Sequence, residues 1–97
     1  MKLSKKSEYG LRALIELALT HGKATLQRQE IAARQHIPIE FLEQILLMLK
    51  RAGLVSSRRG MKGGYALIKQ PQDITLGQVI RILDGPLERC DIGKVRV

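Results

Sequence analysis

The stretch Leu54-Val55-Ser56-Ser57-Arg58-Arg59-Gly60-Met61-Lys62-Gly63-Gly64-Tyr65-Ala66-Leu67-Ile68 decides the fold. Its flanks, 54–57 and 65–68, are β-prone. Between them three glycines stand among three bases, Arg58, Arg59 and Lys62. Two short strands around a glycine-rich loop predict a hairpin. Such a loop cannot pack a core but is free to approach a ligand backbone. Its bases suit phosphate or the minor groove of DNA. An ordinary hairpin turn explains the glycines and leaves the bases unexplained.

What precedes the hairpin gives it a context. Residues 27–35 predict a short helix that turns Ile31 and Ala32 inward. It stops before Ile37-Pro38, because the residue ahead of a proline resists the helical region. A third helix opens at Pro38 or Ile39, where proline is tolerated, and runs to about Ala52, with Gly53 as its stop. Ala32 falls where two helices cross closely, Ile37 enters the core after the turn, and Leu42 and Ile45 hold the second helix down. His36 occupies the turn position that often carries glycine. Two short helices, a tight turn and a basic hairpin predict a winged helix-turn-helix, a mainly α fold with a small β-hairpin (α+β).

The third helix carries candidate base readers. Leu42, Ile45, Leu46 and Leu49 share a buried face, which leaves Glu43 and Gln44 outside. Glu43 can accept a hydrogen bond from cytosine N4, and Gln44 can pair with adenine. Glu40, in the first turn, is accounted for by the helix dipole. Leu47 and Met48 fall off the centre of the apolar stripe and predict contact with a further element, a C-terminal helix or a second subunit.

Outward from this centre, residues 5–21 predict a first helix with Leu11, Leu14, Ile15 and Ala18 as its apolar stripe, capped by Ser4 or Ser7 and stopped by Gly22. Thr25-Leu26 predicts a very short strand. After a turn at 70–73, Thr75 and Gln78 form a capping box for a fourth helix with Leu76, Val79, Ile80 and Leu83 on its apolar face, ended by Asp84-Gly85-Pro86. Residues 1–86 are thus expected to be one DNA-binding domain, and 87–97 the start of a linker or effector region.

Composition narrows the alternatives. Ninety-seven residues make at most one domain. Seventeen basic against nine acidic side chains leave a net charge of +8. From Lys50 to Lys69 there are six bases and no acid. That block reads as a surface for polyanions; a solvated face accounts for the charge alone equally well. With aromatics at 3%, the core must be aliphatic. One cysteine rules out an internal disulfide, and no apolar run approaches a membrane span. The expected home is the cytoplasm, without membrane contact. No phosphate loop, zinc-spaced set or catalytic triad appears, so no enzyme is expected. The expected partner is double-stranded DNA, with Lys2, Lys5, Lys6, Ser57 and Lys62 near phosphates and Arg58 among the DNA-binding bases of the wing. A winged-helix interaction module binding an acidic protein is the alternative. RNA is disfavoured for want of stacking aromatics.

Several stretches resemble the iron–sulfur cluster regulator (IscR-like) family: Met1-Lys2-Leu3-Ser4 with Tyr9 and Leu14; Phe41-Leu42-Glu43-Gln44-Ile45; Leu49-Lys50-Arg51-Ala52-Gly53-Leu54-Val55; Ser56 through Tyr65; and Ile74-Thr75-Leu76-Gly77-Gln78-Val79-Ile80. The resemblance covers residues 1 to about 86. It implies a bacterial homodimeric transcription factor, most often a repressor, on a near-palindromic operator. It also implies that Glu43 reads bases, Arg59 enters the minor groove and Tyr9 helps hold the backbone. Members of that family sense iron–sulfur status, nitric oxide or cysteine supply. Cluster-binding members carry three cysteines after the fourth helix, where this chain has only Cys90. One thiolate does not hold a cluster, so no cofactor is expected in this chain unless further ligands lie beyond Val97. The family's long C-terminal dimerisation helix is likewise expected outside residues 1–97.

Overall fold

Ser4 begins the first helix. Its Oγ accepts a hydrogen bond from the Ser7 N–H at 3.0 Å and so satisfies a donor that α1, Lys5–Leu19, leaves open. In the computed structural model, which describes residues 3–60 and 63–85, three more helices and a hairpin follow. They are α2 (Arg28–Gln35), α3 (Ile39–Arg51), β1 (Val55–Arg58), β2 (Gly64–Leu67) and, after a 3-10 turn at Pro71–Asp73, α4 (Leu76–Asp84). Fold class and element order agree with the sequence reading.

The buried face of α1 is rotated from the expected one. Ser7, Gly10, Ala13, Leu14 and Leu17 face inward, while Ile15 is 49% exposed. The reason is size. Gly10 lets α4 approach so closely that a Cβ there would overlap Leu83. A reading weighted by bulk prefers Leu11 and Ile15 to the small residues that permit this contact.

Two features set the geometry of α2 and α3. The Glu30 carboxylate accepts from the Gln27 N–H at 3.2 Å and holds the entry to α2. At its exit His36 adopts φ 53°, ψ 49°, the left-handed conformation that glycine usually supplies, and the Ile37 N–H returns to the Ala32 carbonyl at 3.0 Å. Ile37 is then buried and Pro38 precedes α3. Leu42, Ile45, Leu46 and Leu49 on α3 are fully buried, as expected. Met48 packs against this same core, so its covering lies within the chain, whereas Leu47 is 46% exposed.

The strands pair antiparallel with Val55 opposite Leu67 and Arg58 opposite Gly64. The expected strand at Thr25-Leu26 shrinks to one bridge: Leu26 and Tyr65 exchange backbone hydrogen bonds at 2.9 and 2.7 Å, which ties the loop before α2 to β2. Thr75 caps α4, its Oγ1 accepting from the Gln78 N–H at 3.1 Å. The core where all elements meet is aliphatic, centred on Leu14, Leu17, Ile45, Leu49, Leu54 and Ile74.

Candidate nucleic-acid interface

Glu43 and Gln44 are exposed in the second turn of α3. Lys50 follows Glu43 by seven residues, two turns along the same strip of helix surface. That strip leads to a cleft of about 500 Å³ between the start of α2, the end of α3 and the hairpin. Among the described residues its lining includes Gln27, Arg28, Lys50, Ser57, Arg58, Arg59 and Tyr65, four of them cationic, and no acid. The fold thus gathers bases that are distant in sequence and joins them to the exposed face of α3.

Among the described residues, Lys50, Arg58 and Arg59 have no acidic partner. Arg28 has one: its Nε lies 3.4 Å from Glu43 Oε1. The acids of α1 are spent elsewhere. Glu8 pairs with Arg12 at 2.6 Å, and Glu16 accepts from Gln35 Nε2 at 2.7 Å and pairs with Arg34 at 3.4 Å. The Glu16 contacts fasten α2 onto α1, and neither acid of α1 pairs with a cation of the cleft.

The remaining expected residues fall into two groups. Tyr9 is half-buried, its ring edge-on to Phe41 at 5.4 Å between centroids, with Lys5 Nζ and the Arg12 guanidinium each 5.7 Å from the ring centre. It braces the start of α1 against the start of α3. Lys5 is exposed and pairs with Glu8 at 3.7 Å; Lys6 is partly covered on the same turn. Lys2, Lys62 and Cys90 lie outside the described residues, as do the boundary at 86–87 and the segment 87–97.

The loop glycines also have a structural task. Gly63 and Gly64 approach the protein's own backbone. A Cβ at Gly63 would strike the Arg58 carbonyl, and one at Gly64 would stand 2.6 Å from the Leu26 carbonyl oxygen, with φ already at +143°. Only Gly60, at φ +104°, opens onto free space among these three. Glycine here builds the wing, and the arginines face outward from it.

Sequence reasoning did not single out Arg28, which lines this cleft. It lies outside the basic block, in a helix read only for its core face. A signal was present: a cation in the first turn of a helix opposes the dipole, so Arg28 needs a reason other than helix stability.

No group of three or more His, Cys, Asp or Glu among the described residues could hold a metal. His21 and His36 sit apart, after α1 and in the α2–α3 turn. The single cysteine, Cys90, lies outside the described residues, and one thiolate by itself does not hold an iron–sulfur cluster. No helix among the described residues is long and apolar enough to cross a membrane.

A turn that sets two helices across each other, a second helix exposing polar side chains and a basic hairpin directly behind them define the winged helix-turn-helix class of transcription regulators. The chain belongs to the Rrf2 family, whose model, described as an iron-dependent transcriptional regulator, matches residues 3–95. It is 42% identical over 92 residues to the HTH-type transcriptional regulator CymR of Bacillus subtilis, covering 95% of this chain and 67% of that protein. To the HTH-type transcriptional regulator IscR of Vibrio atlanticus it is 40% identical over 88 residues, covering 91% and 51%. The solved structure of CymR, the global cysteine regulator of B. subtilis, superposes with a TM-score of 0.84 at 41% identity, covering 94% of this chain and 73% of that one. T. potens IscR gives 0.82 at 41% identity, covering 93% and 66%. The chain therefore spans between about half and two thirds of the length of these curated relatives. The IscR-like resemblance holds, and these relatives are named as transcriptional regulators, not enzymes.

Proposed function

We propose that this protein is a cytoplasmic, sequence-specific regulator that binds duplex DNA as a homodimer on a near-palindromic operator and represses transcription there. One observation carries the reading: the exposed Glu43–Lys50 strip of α3 runs into a cleft lined by Arg28, Lys50, Arg58 and Arg59, with no acid among its described lining residues. A single continuous surface so built suits a major groove and its flanking phosphates.

In this reading Glu43 accepts from cytosine N4 and Gln44 pairs with adenine N6 and N7. Arg59 enters the flanking minor groove, and Ser57, Arg58, Lys62, Lys5 and Lys6 stand near phosphates. Tyr9 helps hold the backbone from its brace on Phe41. Residues 1–86 form the DNA-binding domain and 87–97 begin the effector region. Exposed Ile15 and Leu19, one turn apart on α1, support covering of that face by a second subunit. Cys90 takes part in ligation only together with donors from beyond Val97.

Competition against a labelled duplex, selected by the protein itself from random sequence, tests the reading. An unlabelled copy is expected to compete at least a hundredfold better than a scrambled duplex or polyglutamate. Equal competition by polyglutamate would favour a module that binds acidic proteins.

A further inference from the structure

Glu43 presents a physical problem as a base reader. A carboxylate pushed between two phosphate backbones is repelled by both, and a glutamate on an exposed helix face has several rotamers to choose from. The structure contains an answer on a different helix. Arg28, at the first position of α2, places its Nε 3.4 Å from Glu43 Oε1, with the two side chains 46% and 45% exposed. Nothing in α2 itself calls for a cation there, because the helix dipole disfavours one. The same Arg28 lines the cationic cleft with Lys50, Arg58 and Arg59, and among the described residues it alone of these four is paired with an acid.

We propose that Arg28 is a positioning residue for base recognition: it anchors one oxygen of Glu43 and leaves the other to accept from a cytosine amino group. This inference rests on the reading of α3 as the major-groove helix. A carboxylate offers about four acceptor sites across its two oxygens, so one ion pair does not exhaust it. The guanidinium also offsets the negative charge that Glu43 brings to the groove. Because the pair is exposed, it is weak in free protein. Its strength rises when DNA excludes water around it. Arg28 therefore acts on the choice of base and contributes little to folding.

The experiment is selection from a randomised duplex library of about 20 base pairs, long enough for two half-sites one helical turn apart. Wild type, Arg28→Ala, Arg28→Lys, Glu43→Ala and the Arg28→Ala/Glu43→Ala double variant are compared at one salt concentration. Circular dichroism and melting curves establish that each variant is folded. Glu43→Ala is expected to erase the preference at one base pair per half-site. Arg28→Ala is expected to lower that same preference about fivefold to tenfold and to leave the other positions alone. In the double variant the loss at that position equals the loss from Glu43→Ala, and Arg28→Lys recovers part of it. An Arg28→Ala protein that keeps the preference, or that weakens binding to all sequences alike, overturns the positioning role while Glu43 stays a reader. A Glu43→Ala protein with every preference intact overturns the role of Glu43, and that of Arg28 with it. Failure of wild type to enrich any sequence overturns the DNA reading itself.

Discussion

The fully buried hydroxyl of Ser7 donates to Asp84 Oδ2 at 2.5 Å, across 77 residues of sequence, and joins the first turn of α1 to the last turn of α4. Ser4 Oγ donates to the same oxygen, also at 2.5 Å, while capping α1. The Asp84 carboxylate thus stands where the dipole of α1 favours a negative charge.

An asymmetry follows for the two partners. Asp84→Ala leaves the buried Ser7 hydroxyl without its acceptor and is expected to cost about 1–3 kcal/mol. Ser7→Ala removes the hydroxyl together with its need for a partner and is expected to cost roughly 1 kcal/mol or less. Urea unfolding of the two variants measures the difference; equal costs would show that the hydroxyl's burial does not matter.

His36 holds a left-handed backbone at the end of α2. For a residue with a Cβ this conformation costs roughly 1–2 kcal/mol, part of which glycine loses again through the entropy of its unfolded chain. His36→Gly is therefore expected to stabilise the protein by about 0.5–1 kcal/mol, read as a rise in melting temperature. Because His36 is exposed, DNA affinity is expected to change little; a fall in melting temperature would mean that its side chain holds the turn.

The wing separates two kinds of contact. Arg59→Ala is expected to weaken binding to an A·T-flanked site more than to a G·C-flanked one, because a narrow A·T minor groove concentrates negative potential. Lys62→Ala is expected to weaken both alike and lower the salt slope by about one unit. If both changes act equally on both duplexes, the minor-groove role of Arg59 is lost.

Leu47 follows Glu43 by four residues and Gln44 by three, so it shares their exposed strip of α3. Its exposure there fits an apolar contact with a thymine methyl group. The proposed homodimer is expected to use Ile15 and Leu19, 49% and 68% exposed on α1. In sedimentation, Leu19→Glu is expected to shift the protein towards monomer, and Leu47→Ser to leave its assembly unchanged while altering base preference. The opposite pattern would place the subunit contact on α3.

Much of this architecture was legible in the sequence because its signals are local. Ser4, Thr75 and Gly53 mark helix ends through their own side chains or their lack of one, and the aliphatic spacing of Leu42, Ile45, Leu46 and Leu49 points to the face that is buried. What was not legible depends on closeness between distant segments. Gly10 is buried because Leu83 arrives against it, and Gly64 is needed because Leu26 pairs with Tyr65 beside it. Glu43 is singled out in the sequence by its place on α3. Its pairing with Arg28 is not, because that contact depends on how α2 crosses α3, which no spacing within either helix reveals.

Binding isotherms on a selected duplex and a scrambled one, each between about 50 and 200 mM salt, test the central claim most directly. Contact by the cleft and wing of a dimer with about 6–10 phosphates predicts a steep linear fall of log K with log salt on both duplexes. Reading by Glu43 and Gln44 predicts that the selected duplex stays at least about a thousandfold tighter. Equal affinity for the two duplexes, or binding that salt does not weaken, would contradict the account.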